Sequence, residues 1–273
     1  MFYVGSRSIL VLVLAIINSV DAIIDQNSLI SAYFTPESFN SDDFSQILVD
    51  RSGNARNLSL ANSNNMKPIP NDKDDYVDFA SNPDDGLQSK GFSNFVWDDQ
   101  WAFSLWFMRT SDTNDSNIIG NMGSELNTGS WAIYEQLVNI SGTIKAQCGF
   151  GFITDHNESN GKYLQKYKGL KCDLNQWHHF VLTGNGEIVN AYLDKEEIFL
   201  NTKNSTDTYN IPALGRLVSS ENPLYIGGGS QGLQTFHGNL KNIYLYKQYF
   251  VQEDINIIYM QTKVPDPKLI SSW

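Results

Sequence analysis

Short apolar runs rich in Val, Ile, Phe, Tyr and Trp alternate along this chain with clusters of Asn, Asp, Ser and Gly, the spacing of strands and turns. The pattern predicts strands near Leu29–Phe34, Tyr76–Phe79, Ala102–Arg109, Ile118–Gly120, Trp131–Leu137 and Thr143–Ile153. Further strands are predicted near Lys162–Lys168, Trp177–Thr183, Val189–Leu193, Glu197–Leu200, Leu224–Ile226 and Asn239–Tyr246. Ala102–Arg109 is the clearest: Phe103, Leu105 and Phe107 share one face, with Ser104, Trp106 and Met108 on the other. Period two with bulk on both sides marks a central strand. Asp155–Gly161 is a polar turn between two strand patterns, so Thr143–Lys168 reads as a hairpin. Helical spacing occurs in one segment, Val251–Gln261, which places Val251, Ile255, Ile258 and Tyr259 on one stripe and Glu253 and Asp254 in the first turn. Acids there suit the helix dipole. Many strands and one short terminal helix predict a single all-β domain. No internal repeat or long linker divides it.

The start of the chain changes the expected compartment. Residues 1–8 carry one charge, Arg7, and Ile9–Ile17 is unbroken apolar sequence followed by Val20-Asp21-Ala22. That is the layout of a secretory signal peptide ending at residue 22, with a domain over 23–262 and a tail over 263–273. Nine apolar residues are too few for the roughly 20-residue helix that crosses a bilayer, so membrane insertion is not expected. The net charge of −11 argues against nucleic acid and anionic membranes, which need clustered Lys or Arg. Two cysteines, Cys148 and Cys172, in an oxidising compartment more often bridge than stay free, the alternative being two buried thiols. Sequons at Asn57, Asn114, Asn139, Asn157 and Asn204 fit a secreted glycoprotein.

Three landmarks of the C-terminal half resemble a known family. They are Trp177-His178-His179-Phe180-Val181-Leu182-Thr183 leading to Asn190–Asp194, then Pro223–Gly229, then Phe236–Tyr246 followed by Val251, Asp254 and Ile255. Their order and spacing resemble the laminin G-like, pentraxin-related branch of the concanavalin A-like lectin fold. Asp50–Asn54 and Asp75–Phe79 leading into Phe103–Phe107 add weaker support, while 80–100 and 201–222 fit poorly. The resemblance implies a jelly roll of two packed antiparallel sheets that recognises glycans or extracellular proteins, in some members through calcium at one rim. The paired acids it expects in the last strand are replaced by Lys241 and Asn242, and Asp194 is followed by Lys195 where the family has Gly. An ammonium repels a calcium ion, which needs several hard oxygen ligands. Asp50 and Asn54 are then the remaining candidates for a Ca2+ site, against an ordinary turn.

Catalytic chemistry finds little support. Gly228-Gly229-Ser230-Gln231-Gly232 matches a nucleophile-elbow pattern, yet Leu233–Gly238 after it reads as turn and strand where the elbow needs a helix. Its three consecutive glycines also suggest a loose turn. His178 and His179 are strand neighbours pointing to opposite faces, so they cannot chelate one ion together. One is expected in the core and the other half-exposed. Glycosidases of this fold carry alternate acids on one strand as E-x-D-x-x-E, and no such triplet occurs. Most of the aromatic residues, including Trp106, Trp177 and Tyr244, are expected in the core. Trp97 and Trp101, flanking Asp98-Asp99, are the candidates for an exposed platform on which a sugar ring stacks. The expected function is a secreted, non-catalytic binding module. The alternatives are a glycoside hydrolase or lyase of the same fold, or a structural coat or matrix protein.

Overall fold

The computed structural model describes residues 30–34, 56–60, 69–71, 76–79, 86–93, 96–111, 116–121, 131–140, 142–156, 161–198, 216–228 and 236–262. The signal-peptide segment, the tail, the calcium candidates Asp50 and Asn54, and Ser230 of the rejected elbow pattern lie outside them. The chain opens with β1 (Ile30–Phe34), β2 (Ser59–Leu60), β3 (Ile69–Asn71), β4 (Tyr76–Asp78) and β5 (Leu87–Ser89), all short. A 3-10 turn at Lys90–Phe92 precedes β6 (Trp101–Arg109), β7 (Ser116–Gly120), β8 (Trp131–Ile140), β9 (Thr143–His156) and β10 (Gly161–Leu170). Then come β11 (Trp177–Gly184), β12 (Val189–Leu193), β13 (Glu196–Ile198), β14 (Arg216–Leu217), β15 (Leu224–Ile226), β16 (Gly238–Tyr246) and the helix α1 (Gln252–Thr262).

These strands form two eight-stranded antiparallel sheets, the jelly-roll-like sandwich the resemblance implies. The first runs β13-β12-β11-β6-β16-β4-β3, with β1 also on β16, so the last long strand lies beside the first. The second runs β10-β9-β8-β7-β15-β5-β2, with β14 on β9. Between them, one continuous core takes Phe103, Leu105 and Phe107 from β6, Trp131 and Ile133 from β8, and Phe150 and Phe152 from β9. Phe103 stacks on Trp131 with centroids 3.8 Å apart. A ring at this depth is worth about 3–5 kcal/mol against alanine.

A second, smaller cluster lies outside the first sheet. Ile255 and Ile258 of α1, with Phe250, cover Ala102, Val181, Tyr192, Tyr244 and Tyr246. Tyr244, expected in the shared filling, is thus buried under the helix instead. The helix stripe is as predicted except at Val251, which is 46 % exposed and precedes the first turn. There its N–H donates to the Asp254 carboxylate at 3.1 Å.

The expected hairpin at Thr143–Lys168 is present as β9 and β10, with Gly161 opposite His156. Cys148 lies opposite Leu170, and Cys172 follows two residues on. The two cysteines are bridged, with Cα atoms 6.2 Å apart. Beside the bridge, Arg109 of one sheet pairs with Glu135 of the other through its Nε, and its Nη1 donates to the Cys172 carbonyl at 2.8 Å. Ser116 donates to the second Glu135 oxygen at 2.5 Å. Both charges are buried, so they stand in each other's place for water. Just after β15, Gly227 has φ 72°, and a Cβ there would come within 2.1 Å of the Phe79 ring; the rest of the glycine-rich turn, from residue 229, lies outside the described residues.

Candidate functional site

The platform expected at Trp97 and Trp101 does not exist, because both indoles are in the core, 3 % and 1 % exposed. Trp101 continues the inward face of Phe103, Leu105 and Phe107 by one more step of two. It stacks on Phe103 at 5.0 Å, with Trp97 edge-on to the same ring at 5.0 Å. Gly184 makes room for it: a Cβ there would meet Trp101 Cζ2 at 2.5 Å. Between the two indoles, Asp98 and Asp99 are exposed, and Asp98 pairs with Lys247 at 3.7 Å.

A different aromatic group lies on the outward face of the first sheet, beside α1. Register builds it row by row. His179, Trp106 and Lys241 are cross-strand neighbours on β11, β6 and β16, and the β4 register continues that row to Tyr76. Trp177, Met108, Asn239 and Asp78 form the adjacent row. Trp106, His179, Asn239 and Lys241 are buried, whereas Tyr76, Asp78, Met108 and Trp177 are half-buried and keep part of their surface in water. Trp177 is therefore a surface-facing residue and not the core residue the sequence suggests. Its ring lies 5.6 Å from Tyr76, tilted by 59°. The Lys241 ammonium lies 4.0 Å from the Trp177 centroid and 5.7 Å from that of Trp106. With the Asn239 amide turned so that its nitrogen donates, it meets Asp78 Oδ1 at 3.2 Å.

The border of this patch with α1 is fixed by polar contacts. His179 shares a hydrogen bond with Ser104 Oγ at 2.9 Å, and Tyr259 packs on both His179 and Trp106. Asp194 accepts the His179 backbone N–H at 2.9 Å and contacts His178 Nδ1 at 2.7 Å. Both histidines are buried, where one had been expected half-exposed. Burial pushes the His179 imidazole down to about 3, with the Asp194 charge pulling partly the other way. Asp194 and Lys195 form the two-residue turn from β12 to β13, with φ of 52° and 69°. That conformation explains why a glycine is favoured at the second position.

Where the resemblance expects paired acids, Lys241 supplies an ammonium and Asn242 a bulge, with φ 50° and a register shift before Tyr244. These residues do not fit a calcium ion. Among the described residues no three His, Cys, Asp or Glu side chains come together as a metal cluster. Glu135, the buried carboxylate between the sheets, is held on both oxygens by Arg109 and Ser116.

The aromatic patch was missed because strand alternation gives two faces without saying which one the second sheet covers. Trp177-x-His179 and Trp106 carry the outward period. Only the tertiary arrangement shows that Trp177 and Tyr76 on this face keep part of their surface in water.

Comparison with known proteins agrees with this architecture. The solved binding domain of botulinum neurotoxin serotype D, in complex with N-acetylneuraminic acid, superposes with a TM-score of 0.55 at 14% identity. That match covers 86% of this chain and 52% of the toxin domain. The binding domain of Paraclostridial Mosquitocidal Protein 1 gives 0.56 at 14%, covering 85% and 52%. The binding domain of botulinum neurotoxin DC, in complex with rat synaptotagmin II, gives 0.55 at 14%, covering 87% and 52%. The chain spans about half the length of these structures. No curated protein matches the sequence. A family model matches residues 71–256, which include the described patch, and by that match the chain belongs to the Laminin_G_3 family of the concanavalin A-like lectin/glucanases superfamily.

Proposed function

We propose that this protein is a secreted, non-catalytic recognition module that binds a neutral glycan at the Trp177 and Tyr76 side of its first sheet. The observation that carries the reading is the half-buried pair Trp177 and Tyr76, set beside Asp78 and the Lys241 ammonium. Rings that keep one part in water and the other on a rigid sheet suit stacking against a sugar's C–H face, while Asp78 takes hydroxyl hydrogen bonds. A rigid strand-borne site also loses little entropy on binding. The net charge of −11 disfavours an acidic sugar by long-range repulsion. Solved neighbours described as binding domains, one in complex with N-acetylneuraminic acid and another with a synaptotagmin, support glycan or protein as the ligand class. The bridged cysteines, the leader-like residues 1–22 and the exposed sequon Asn139 support secretion and glycosylation. No helix among the described residues is long and apolar enough to cross a membrane.

A glycan array probed with the secreted protein tests this. Neutral oligosaccharides bind better than their sialylated forms, and Trp177→Ala weakens the best ligand by about tenfold without changing the circular dichroism. No binding on the array, or equal binding by Trp177→Ala and Tyr76→Ala, overturns it. Release of reducing sugar would instead place the chain among hydrolases.

A further inference from the structure

A group of polar side chains gathers where α1 begins. On β12, Val189 and Ala191 belong to the core between the sheets, so Asn190 and Tyr192 alternate onto the outward face. Asn190 is the register partner of Thr183, whose Oγ1 accepts the Phe250 N–H at 2.8 Å. That bond holds the chain before α1 against the sheet and sets Tyr249 beside Asn190. The Asn190 Nδ2 donates to the Tyr249 hydroxyl at 3.2 Å and reaches that of Tyr192 at 3.5 Å. Glu197 of β13 stands opposite Tyr192. Gln252 ties the first turn of α1 to the Lys195 carbonyl at 2.9 Å, which holds Glu253 near the same group.

Charge is unbalanced here. Glu197 and Glu253 are both exposed, and among the described residues neither meets a cation within ion-pair distance. The neighbouring Lys195 ammonium lies 5.9 Å from the Tyr259 centroid instead. Burial chiefly, then the Glu197 and Glu253 charges, push the Tyr192 phenol up against the pull of its Asn190 hydrogen bond. Burial and Glu197 do the same to Tyr249, so both phenols stay neutral. With the Asn190 nitrogen facing the phenol oxygens, its Oδ1 is left as an acceptor that takes no donor among the described residues. Ile188, two residues before Asn190, and Val251, two before Glu253, are each 46 % exposed.

We propose that this group is a docking site for an arginine of a partner protein, carried on a segment that is otherwise apolar. A guanidinium is planar, with five donors and no acceptor. It matches a site that offers two carboxylates and an amide oxygen, and the half-buried Tyr249 ring gives its flat face a surface to stack on. Apolar side chains next to the arginine cover Ile188 and Val251. A calcium ion asks for six or more oxygen ligands, beyond what two carboxylates and one amide supply. The net charge of −11 draws a basic partner in. Tyr192 is 3 % exposed, and the Thr183 and Gln252 bonds fix the backbone on either side, so little ordering is left for the partner to impose. None of these residues belongs to the Trp177 group, so the two sites stand or fall separately.

Two-dimensional NMR of the secreted protein, titrated with the blocked tripeptide acetyl-Leu-Arg-Leu-amide, tests the site. The citrulline tripeptide, of the same shape without the charge, and the lysine tripeptide are the controls. The Asn190 side-chain amide signals move saturably with the arginine peptide, and the citrulline peptide binds about tenfold more weakly. Glu197→Gln and Glu253→Gln each weaken the arginine peptide by about fivefold at low salt and leave Tm in place, since both side chains are exposed. Trp177→Ala binds it as the wild type does. Stationary Asn190 signals, equal binding of the citrulline or lysine peptide, or unchanged binding in both glutamate variants overturns the site. Displacement of the peptide by calcium at constant ionic strength overturns it in favour of a metal, and loss of binding in Trp177→Ala assigns the peptide to the other group.

Discussion

His179 shows how one buried side chain sets a response to acid. Its imidazole, held near a pKa of about 3 mainly by burial, stays neutral in the fold, whereas the unfolded chain takes up that proton near the ordinary 6.5. The contribution to stability is therefore complete above pH 6.5 and is lost as pH falls from there towards 3, at about 1.4 kcal/mol per pH unit. Urea unfolding of His179→Gln at pH 4 and pH 7 shows a smaller difference between the two pH values than the wild type does. An equal difference would mean that His179 titrates normally in the fold. Tyr134 responds at the other extreme. Burial pushes its phenol up to about 12, so stability linked to it persists below pH 10 and declines as pH rises from 10 towards 12. Its share of the 295 nm absorbance appears only as the protein unfolds.

At the scale of elements, the two-residue turn Asp194-Lys195 closes a hairpin with both residues left-handed. A lysine pays for that conformation and a glycine does not. Lys195→Gly stabilises the protein by about 1 kcal/mol, read from the urea midpoint at unchanged slope. A destabilised variant would mean that the Lys195 contact with the Tyr259 ring outweighs the backbone cost. The long strands were legible in the sequence because each repeats period two over enough residues to be distinct, as Phe103, Leu105 and Phe107 do. β2, β3, β5 and β14 were not legible. Each is two or three residues long, and Pro70 sits inside β3, tolerated because β3 is an edge strand. The aromatic site was misplaced for a related reason. Asp98 and Asp99 made the segment around Trp97 look exposed, but the indoles on either side of them turn inward to Phe103. Extending the inward period from Phe103 back to Trp101 would have shown that one of the two was core. For Trp177, no local signal says that its side chain stays half-buried on the outward face, since that depends on what packs over the sheet.

For the whole molecule, the join between sheets is polar as well as apolar at one point. Arg109 ties β6 to Glu135 on β8 and to the Cys172 carbonyl, beside the Cys148–Cys172 bridge. Glu135→Gln leaves the guanidinium buried without its counter-charge and costs about 3 kcal/mol, measured by urea unfolding. Reducing the bridge, which closes a separation of 24 residues, costs about 3 kcal/mol in the same assay. Because both act through Arg109, their combined cost departs from the sum, and strict additivity would show that the ion pair and the bridge are independent. On this frame α1 covers part of the first sheet's outer face, where Trp177 and Tyr76 keep some surface in water. The proposed reading assigns recognition to the Trp177 and Tyr76 side of the first sheet. The six indole N–H signals of the native protein report on it directly when the best array glycan is titrated in and followed by two-dimensional NMR. The Trp177 signal moves with ligand while those of Trp97 and Trp101 stay in place. Movement of Trp97 or Trp101 with a stationary Trp177 would contradict the assignment.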